Sequence, residues 1–135
     1  MRRWNKNGPK MSPFVSPYGS WKSPITADLV GGGEIGLEQI RIDGDAIHWI
    51  ERRAQEGGRK VIVRRSADGN TSDITPAEFN ARTRVHEYGG GDYSIANSTI
   101  VFSNFADQQL YQQKLGAQPQ PLTPADKLRY ADGQF

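Results

Sequence analysis

The sequence predicts an all-β fold made of two four-stranded antiparallel propeller blades and the start of a third. Short runs of alternating apolar and polar residues are separated by Gly, Asn and Asp turn signals, and four such runs occur twice. Ile74-Thr75-Pro76 recurs as Leu122-Thr123-Pro124, 48 residues later, and Arg84 recurs as Arg129, 45 residues later. A repeat of this length with four strands per unit is typical of propeller blades.

The first part of the chain is predicted to be an irregular lead-in. Residues 1–16 are basic and proline-rich and are expected to be disordered, whereas residues 17–36 are expected to form an irregular segment with one short helix. Ser23 is the expected N-cap of that helix, Pro24 occupies its first position, and Gly31 is its expected stop.

Blade one is assigned to residues 37–83. Asp43-Gly44 is a strong hairpin signal between the first two strands, and Pro76 follows the last one. One further helical turn is expected over residues 76–82. The four predicted strands cover residues 37–42, 46–50, 60–64 and 72–75.

Blade two is assigned to residues 84–128, and residues 129–135 are expected to begin a third blade. The predicted strands cover residues 92–95, 99–103, 109–115 and 121–123, with Asn97-Ser98 as the first turn. Because propellers close with about four to eight blades, this pattern predicts a piece of a longer protein. The alternative is one antiparallel sandwich of about eight strands.

Charge and composition exclude several classes of function. The formal net charge of +2 comes from the first ten residues, where Arg2, Arg3, Lys6 and Lys10 supply four positive charges, so the remainder is mildly acidic. This pattern does not predict nucleic-acid binding. No apolar run is long enough to span a membrane, and the absence of cysteine excludes disulfides and zinc-thiolate sites. A cytoplasmic location is expected.

The sequence predicts no catalytic, cofactor or metal site. Gly31, Gly33 and Gly36 match G-x-G-x-x-G, but the predicted order is helix then strand, the reverse of a dinucleotide site. His86 begins H-E-x-x-H, yet Gly90 stands where the second histidine is needed. The G-x-S-x-G elbow of many serine hydrolases is absent. His48 is expected at a blade face without a catalytic role.

The candidate binding site is the connection between the blades, where charged and aromatic residues are followed by the glycines at positions 89–91. A cation, a titratable ring, a carboxylate and a phenol can together bind a polar or charged ligand. The alternative is a structural network in which Glu87 pairs with Arg84 or Arg82 and Tyr88 packs between the sheets. The glycines are expected to let two backbones come close. The candidate residues are Arg84, His86, Glu87 and Tyr88.

Three stretches give the chain a resemblance to a known family. Residues 17–26 (PYGSWKSPIT), 82–91 (RTRVHEYGGG) and 101–108 (VFSNFADQ) resemble the start of the propeller domain in prolyl oligopeptidase-type serine peptidases. The resemblance covers residues 17–133 and indicates the branch that contains dipeptidyl aminopeptidases and acylaminoacyl peptidases.

This resemblance implies a cytoplasmic serine hydrolase whose N-terminal propeller caps a C-terminal α/β-hydrolase domain and limits access to short peptides. The Ser-Asp-His triad of such enzymes belongs to that second domain, so no catalytic residue is carried over. Propeller loops in the family can supply carboxylates or arginines for the peptide terminus, and Glu87, with Arg84 and His86, is the candidate here.

The expected function is therefore to gate or position short peptides for a hydrolase domain that this chain lacks, with no activity of the chain alone. Its expected partners are short peptides and that domain. One alternative is a non-catalytic binding or scaffold module that self-associates through its open blade edges. Another is a sugar-binding or lipoprotein-associated propeller of a different family.

Overall fold

The computed structural model describes residues 15–20, 22–26 and 33–135. The chain divides into two compact units, residues 1–31 and 32–135. In the first unit, Ser20 N–H donates to Pro17 O (3.1 Å), and Ile25 N–H donates to Ser23 Oγ (3.0 Å). The described residues 22–26 contain no helix. Most of the predicted disordered lead-in and the later part of the predicted helix lie outside the described residues.

The second unit consists of two four-stranded antiparallel sheets, each formed by consecutive strands in sequence order. Blade one contains β1 (Ile35–Asp43), β2 (Ala46–Arg53), β3 (Arg59–Arg65) and β4 (Thr71–Asp73). Blade two contains β5 (Tyr93–Ala96), β6 (Thr99–Ser103), β7 (Leu110–Lys114) and β8 (Gln120–Pro121). The predicted pair of four-stranded sheets is thereby confirmed. One 3-10 turn, Ala54–Glu56, is the helical structure among residues 33–135.

Two further segments were predicted beside the strands. Residues 76–82 contain no helix but begin with a single hydrogen-bonded turn, in which Phe79 N–H donates to Pro76 O (3.0 Å). Ala81 N–H then donates to Lys60 O (3.0 Å), and Ala81 forms a bridge with Asn104. Residues 129–135, the expected start of a third blade, contain no strand. Instead, Asp132 N–H donates to Gly91 O (3.0 Å), which holds this segment beside the entrance to blade two.

A β-bulge in β1 determines which side chains share a face of blade one. Glu38 pairs with Ile50 and Arg41 pairs with His48, so two residues of β1 lie opposite one residue of β2. Gln39, within the bulge, has a positive φ of 52°. Because the extra residue reverses the alternation, four apolar side chains before and after the bulge point to the same face. We call them the apolar stripe: Ile35, Leu37, Ile40 and Ile42, which are 57%, 66%, 65% and 72% exposed.

The core lies between the two sheets. Ile50 and Ile62 are paired across β2 and β3, on the face opposite the apolar stripe, and both are completely buried. They belong to one cluster with Tyr93, Ile100 and Phe102 of blade two. Blade one therefore buries one apolar face against blade two. On its other face the stripe on β1 is exposed, whereas Val61 and Val63 of β3 are buried.

The hairpin turns of the two blades are joined at one end of this core. The first turn has Gly44 at φ 61°, and the second has Asn97 and Ser98 at φ 49° and 58°, as a type I′ turn requires. The Asp43 carboxylate accepts hydrogen bonds from Asn97 N–H (2.9 Å) and Ser98 N–H (2.7 Å). Asp43 thus connects the first hairpin of blade one to the first hairpin of blade two.

Candidate functional site

The candidate residues lie in the connection between the sheets, a loop of residues 84–91. Both ends of this loop are fixed by hydrogen bonds that involve the buried Asp92. Before the loop, Thr83 N–H donates to Asp92 Oδ1 (2.7 Å), and after it Asp92 N–H donates to Gln39 Oε1 (3.0 Å). Thr83 and Asp92 are each 1% exposed. The two ends of the loop are therefore held side by side.

Arg84 is positioned at the start of the loop by its backbone and by an aromatic ring. Its N–H donates to Oε1 of the buried Gln108 (2.7 Å). The Arg84 Cζ lies 4.3 Å from the centre of the Phe105 ring, and the Arg82 Cζ lies 5.0 Å from it. Neither guanidinium forms an ion pair with a described carboxylate. Two cations thus contact one aromatic ring, where cation–π attraction offsets part of their mutual repulsion.

His86 connects the loop to the segment that follows blade two. Its Nε2 lies 2.7 Å from Asp132 Oδ2, and the two side chains are 43% and 66% exposed. The same residue, Asp132, donates its N–H to Gly91 O. Asp132 therefore contacts the loop through both side chain and backbone, although nothing in the local sequence around His86 indicates this partner.

Glu87 and Tyr88 form the tip of the loop. Tyr88 is 98% exposed, and Glu87 is also exposed. Glu87 has neither a hydrogen bond nor an ion pair with another residue in the described part of the chain. The structural alternative for these two residues is therefore wrong: Glu87 pairs with neither Arg82 nor Arg84, and Tyr88 does not pack between the sheets.

The glycines permit the close approach that the sequence predicted. A Cβ atom at Gly91 would lie 2.2 Å from Asp132 Oδ1 and 2.6 Å from Asp132 N, and Gly91 has a φ of 64°. A Cβ atom at Gly89 would lie 3.2 Å from Lys60 Nζ. A side chain at position 91 would displace the backbone of the next segment.

An ionic network with a buried ion pair, Lys60 and Asp92, lies beneath the loop. Lys60 Nζ lies 2.9 Å from Asp92 Oδ2 and 2.7 Å from Glu38 Oε2. Gln39 Nε2 also donates to Asp92 Oδ2, and the Tyr93 hydroxyl donates to Gln39 O (2.8 Å). Burial raises the pKa of the Tyr93 phenol, which stays a hydrogen-bond donor. One lysine thus shares its charge with two carboxylates.

The structure brings the four candidates together on one exposed loop but does not make them a single cluster. Arg84 contacts Phe105, His86 contacts Asp132, and Glu87 and Tyr88 face solvent.

Sequence reasoning missed the network of Lys60, because its members are far apart in the sequence. Among the described residues, no group of His, Asp and Glu side chains could hold a metal ion. No helix in the described ranges could cross a membrane.

Comparison with known proteins identifies relatives among solved structures. No protein-family model and no curated protein matches the chain. A puromycin-hydrolyzing peptidase of Mycobacterium tuberculosis is 39% identical, with a TM-score of 0.79. A puromycin hydrolase is 37% identical with a TM-score of 0.75, and a mutant of puromycin hydrolase complexed with PGG is 37% identical with a TM-score of 0.77. Each match covers 87% of this chain and 20% of the solved chain.

The fold and the connecting loop together define a pair of adjacent β-propeller blades. More particularly, the chain matches the N-terminal propeller part of prolyl oligopeptidase-family peptidases, as its sequence predicted. It spans about a fifth of the length of the solved structures that it matches.

Proposed function

We propose that this chain is the N-terminal propeller part of a prolyl oligopeptidase-type serine peptidase and that it positions short substrates for an α/β-hydrolase domain. The observation that carries the proposal is the 37–39% identity to puromycin-hydrolysing peptidases over 87% of the chain. A cytoplasmic location, implied by the family resemblance, is part of the proposal. Short peptides and the hydrolase domain are the proposed partners.

Within this function, we assign substrate contact to the loop of residues 84–91. The Glu87 carboxylate is exposed and forms no ion pair with a described residue, so it is available to accept hydrogen bonds from the charged amino group of a short peptide. Tyr88 supplies an exposed aromatic ring beside it. Arg84 and His86, held by Phe105 and Asp132, fix the two sides of the loop.

Substitution of Glu87 by Gln in the complete enzyme tests this assignment. We expect kcat/KM for aminoacyl and dipeptidyl chromogenic substrates, and for puromycin, to fall by at least about tenfold, since a charge-assisted hydrogen bond is lost. The melting temperature should change little because Glu87 has no partner in the protein. Glu78→Gln is the matched control, because Glu78 is also exposed but lies outside the loop. An unchanged kcat/KM together with a marked fall in melting temperature would assign Glu87 a structural role.

The chain alone should not hydrolyse these substrates, because the triad of the family belongs to the hydrolase domain. Incubation of the purified chain with the same substrates, with and without a serine-directed inhibitor, measures this directly. Turnover that the inhibitor abolishes would reject the proposal that the chain is inert.

Self-association is a second candidate function, favoured by the apolar stripe. Four large side chains on one face, each more than half exposed, form the kind of surface that proteins usually cover. A second copy could cover it and complete a ring of blades. Light scattering of the purified chain should then show one discrete closed oligomer, and Leu37→Lys should convert it to monomers. A monomer in the unchanged protein would reject this function.

A further inference from the structure

A polar cavity lies between the blades, at the end opposite the loop of residues 84–91. It has a volume of about 280 Å³ and lies beside the two hairpin turns that Asp43 joins. His48 and Arg64 of blade one, and Asn97, Ser98 and Leu115 of blade two, contribute to its walls. Since a water molecule in the liquid occupies about 30 Å³, the cavity has room for a small molecule.

The walls of this cavity contain buried polar atoms without partners. His48 is 0% exposed, and neither of its ring nitrogens forms a hydrogen bond with a described residue. The Nε of Arg64, which pairs with His48 across β2 and β3, is also buried and without a partner. Such groups lower stability unless something bonds to them, so their presence beside a cavity points to a bound molecule.

The hydrogen-bonding capacity of Arg64 Nε and of the His48 ring nitrogens indicates which kind of ligand the cavity would bind. Arg64 Nε–H is a donor only, and the His48 imidazole offers at least one N–H, so the ligand must supply acceptor oxygens. Asp43 does not fill this role, because its carboxylate accepts the N–H groups of Asn97 and Ser98, while the His48 ring nitrogens and Arg64 Nε have no hydrogen-bond partner among the described residues. Asp45, the other acid beside the cavity, is exposed. Arg41, opposite His48 on β1, adds a second positive charge to this end of the sheet.

We propose that this cavity binds a small oxyanion, a carboxylate or phosphate group, held by Arg64 and His48. Bound there, the anion would bridge blade one to the first hairpin of blade two and add to the connection made by Asp43. The site is separate from the substrate loop: His48 and Arg52 are four residues apart on β2, about 13 Å, and Arg52 pairs with Lys60 beneath that loop.

Titration calorimetry of the full chain with inorganic phosphate, and separately with acetate, tests the proposal. We expect saturable binding of at least one anion, accompanied by a shift of the His48 imidazole resonances in NMR spectra. Saturation by phosphate alone assigns the site to phosphate groups, and saturation by acetate assigns it to carboxylates. Absence of saturable binding of both anions would overturn the proposal and leave the cavity to water.

Two variants and one control locate the site. Arg64→Met should weaken anion binding by at least about tenfold, because the charged donor is lost. Arg65→Met, one residue further on β3 and exposed on the other face, should leave it unchanged. His48→Gln provides a second test, since it replaces the imidazole donor by an amide of similar size. Binding that is as strong in both Arg64→Met and His48→Gln as in the unchanged protein would overturn the assignment to this cavity.

Discussion

Lys60 Nζ in blade one lies 2.9 Å from Asp92 Oδ2 in blade two, and the two side chains are 5% and 0% exposed. Asp92 also accepts the backbone N–H of Thr83, the last residue before the connecting loop. One ion pair therefore joins the two blades at the point where the loop begins and ends.

Replacing Lys60 by Met should lower the free energy of unfolding by about 3 kcal/mol, because the Asp92 carboxylate would remain buried without its cation. Urea denaturation measures this change. The control is Arg52→Met. Arg52 is 58% exposed and lies 3.6 Å from Glu38, so its loss should cost less than about 1 kcal/mol. Equal losses in the two variants would contradict the importance of the buried pair.

Replacing Asp43 by Ala should remove the connection between the two hairpins and lower the free energy of unfolding by about 1–2 kcal/mol. Asp45 is a suitable comparison, because it lies in the same turn, is exposed, and makes no hydrogen bond with a described residue. Asp45→Ala should change stability by less than about 0.5 kcal/mol. If both variants are equally stable in urea, the two bonds to Asn97 and Ser98 contribute nothing measurable.

Replacing Gly91 by Ala should displace the segment around Asp132, because the new Cβ would overlap its backbone nitrogen. Gly57→Ala separates this clash from the cost of a positive φ. Gly57 has a φ of 65°, close to the 64° of Gly91, but nothing lies within 4 Å of its Cβ position. Gly57→Ala should cost about 1 kcal/mol and Gly91→Ala clearly more.

Amide hydrogen exchange measures the local effect of Gly91→Ala and Gly57→Ala. The Asp132 amide should lose protection in Gly91→Ala, because its bond to Gly91 O is broken, and keep it in Gly57→Ala. Protection that is unchanged in both variants would show that the segment adapts without losing this contact.

The stability of the chain should decrease as the pH falls below about 6.5. Burial, and to a lesser extent the charge of Arg64, lowers the pKa of His48 from its ordinary value of 6.5, whereas Asp43 acts in the opposite direction. Between the folded and unfolded pKa values, the unfolded chain binds the additional proton, so acid favours unfolding. The slope cannot exceed about 1.4 kcal/mol per pH unit for one group.

Urea denaturation between about pH 7.5 and 5.5, where histidine titrates, measures this slope. His48→Leu should have a smaller slope than the unchanged protein over this range. The same slope in both proteins would assign the acid sensitivity to other groups.

The strands were predictable because they depend on neighbouring residues. The alternation in residues 99–103 and the turn at Asn97-Ser98 predict β6 within its observed bounds, Thr99–Ser103. The bulge at Gln39 was not predictable, since its residue has a positive φ without being glycine. A turn within residues 76–82 was predictable, and Phe79 N–H donates to Pro76 O. The bonds from Ala81 N–H to Lys60 O and from Arg82 N–H to Ser103 O were not, since these partners are distant in the sequence.

The position of the candidate loop in the sequence was predictable, but the contacts of its side chains were not. Its charged residues and glycines are consecutive, so the sequence marks the position. The partners of Arg84 and His86 are Phe105 and Asp132, which only the folding of blade two brings close. His48 illustrates the same limit, because the sequence places it on a strand but does not reveal the cavity beside it.

The division of the core between the blades has a consequence for synthesis on the ribosome. Ile50 and Ile62 lack their packing partners until Ile100 and Phe102 have left the exit tunnel, since the cluster takes residues from both sheets. During that interval, both faces of the nascent first blade expose apolar side chains. This intermediate is the stage at which a chaperone would bind, and a pause in translation before residue 93 would prolong it.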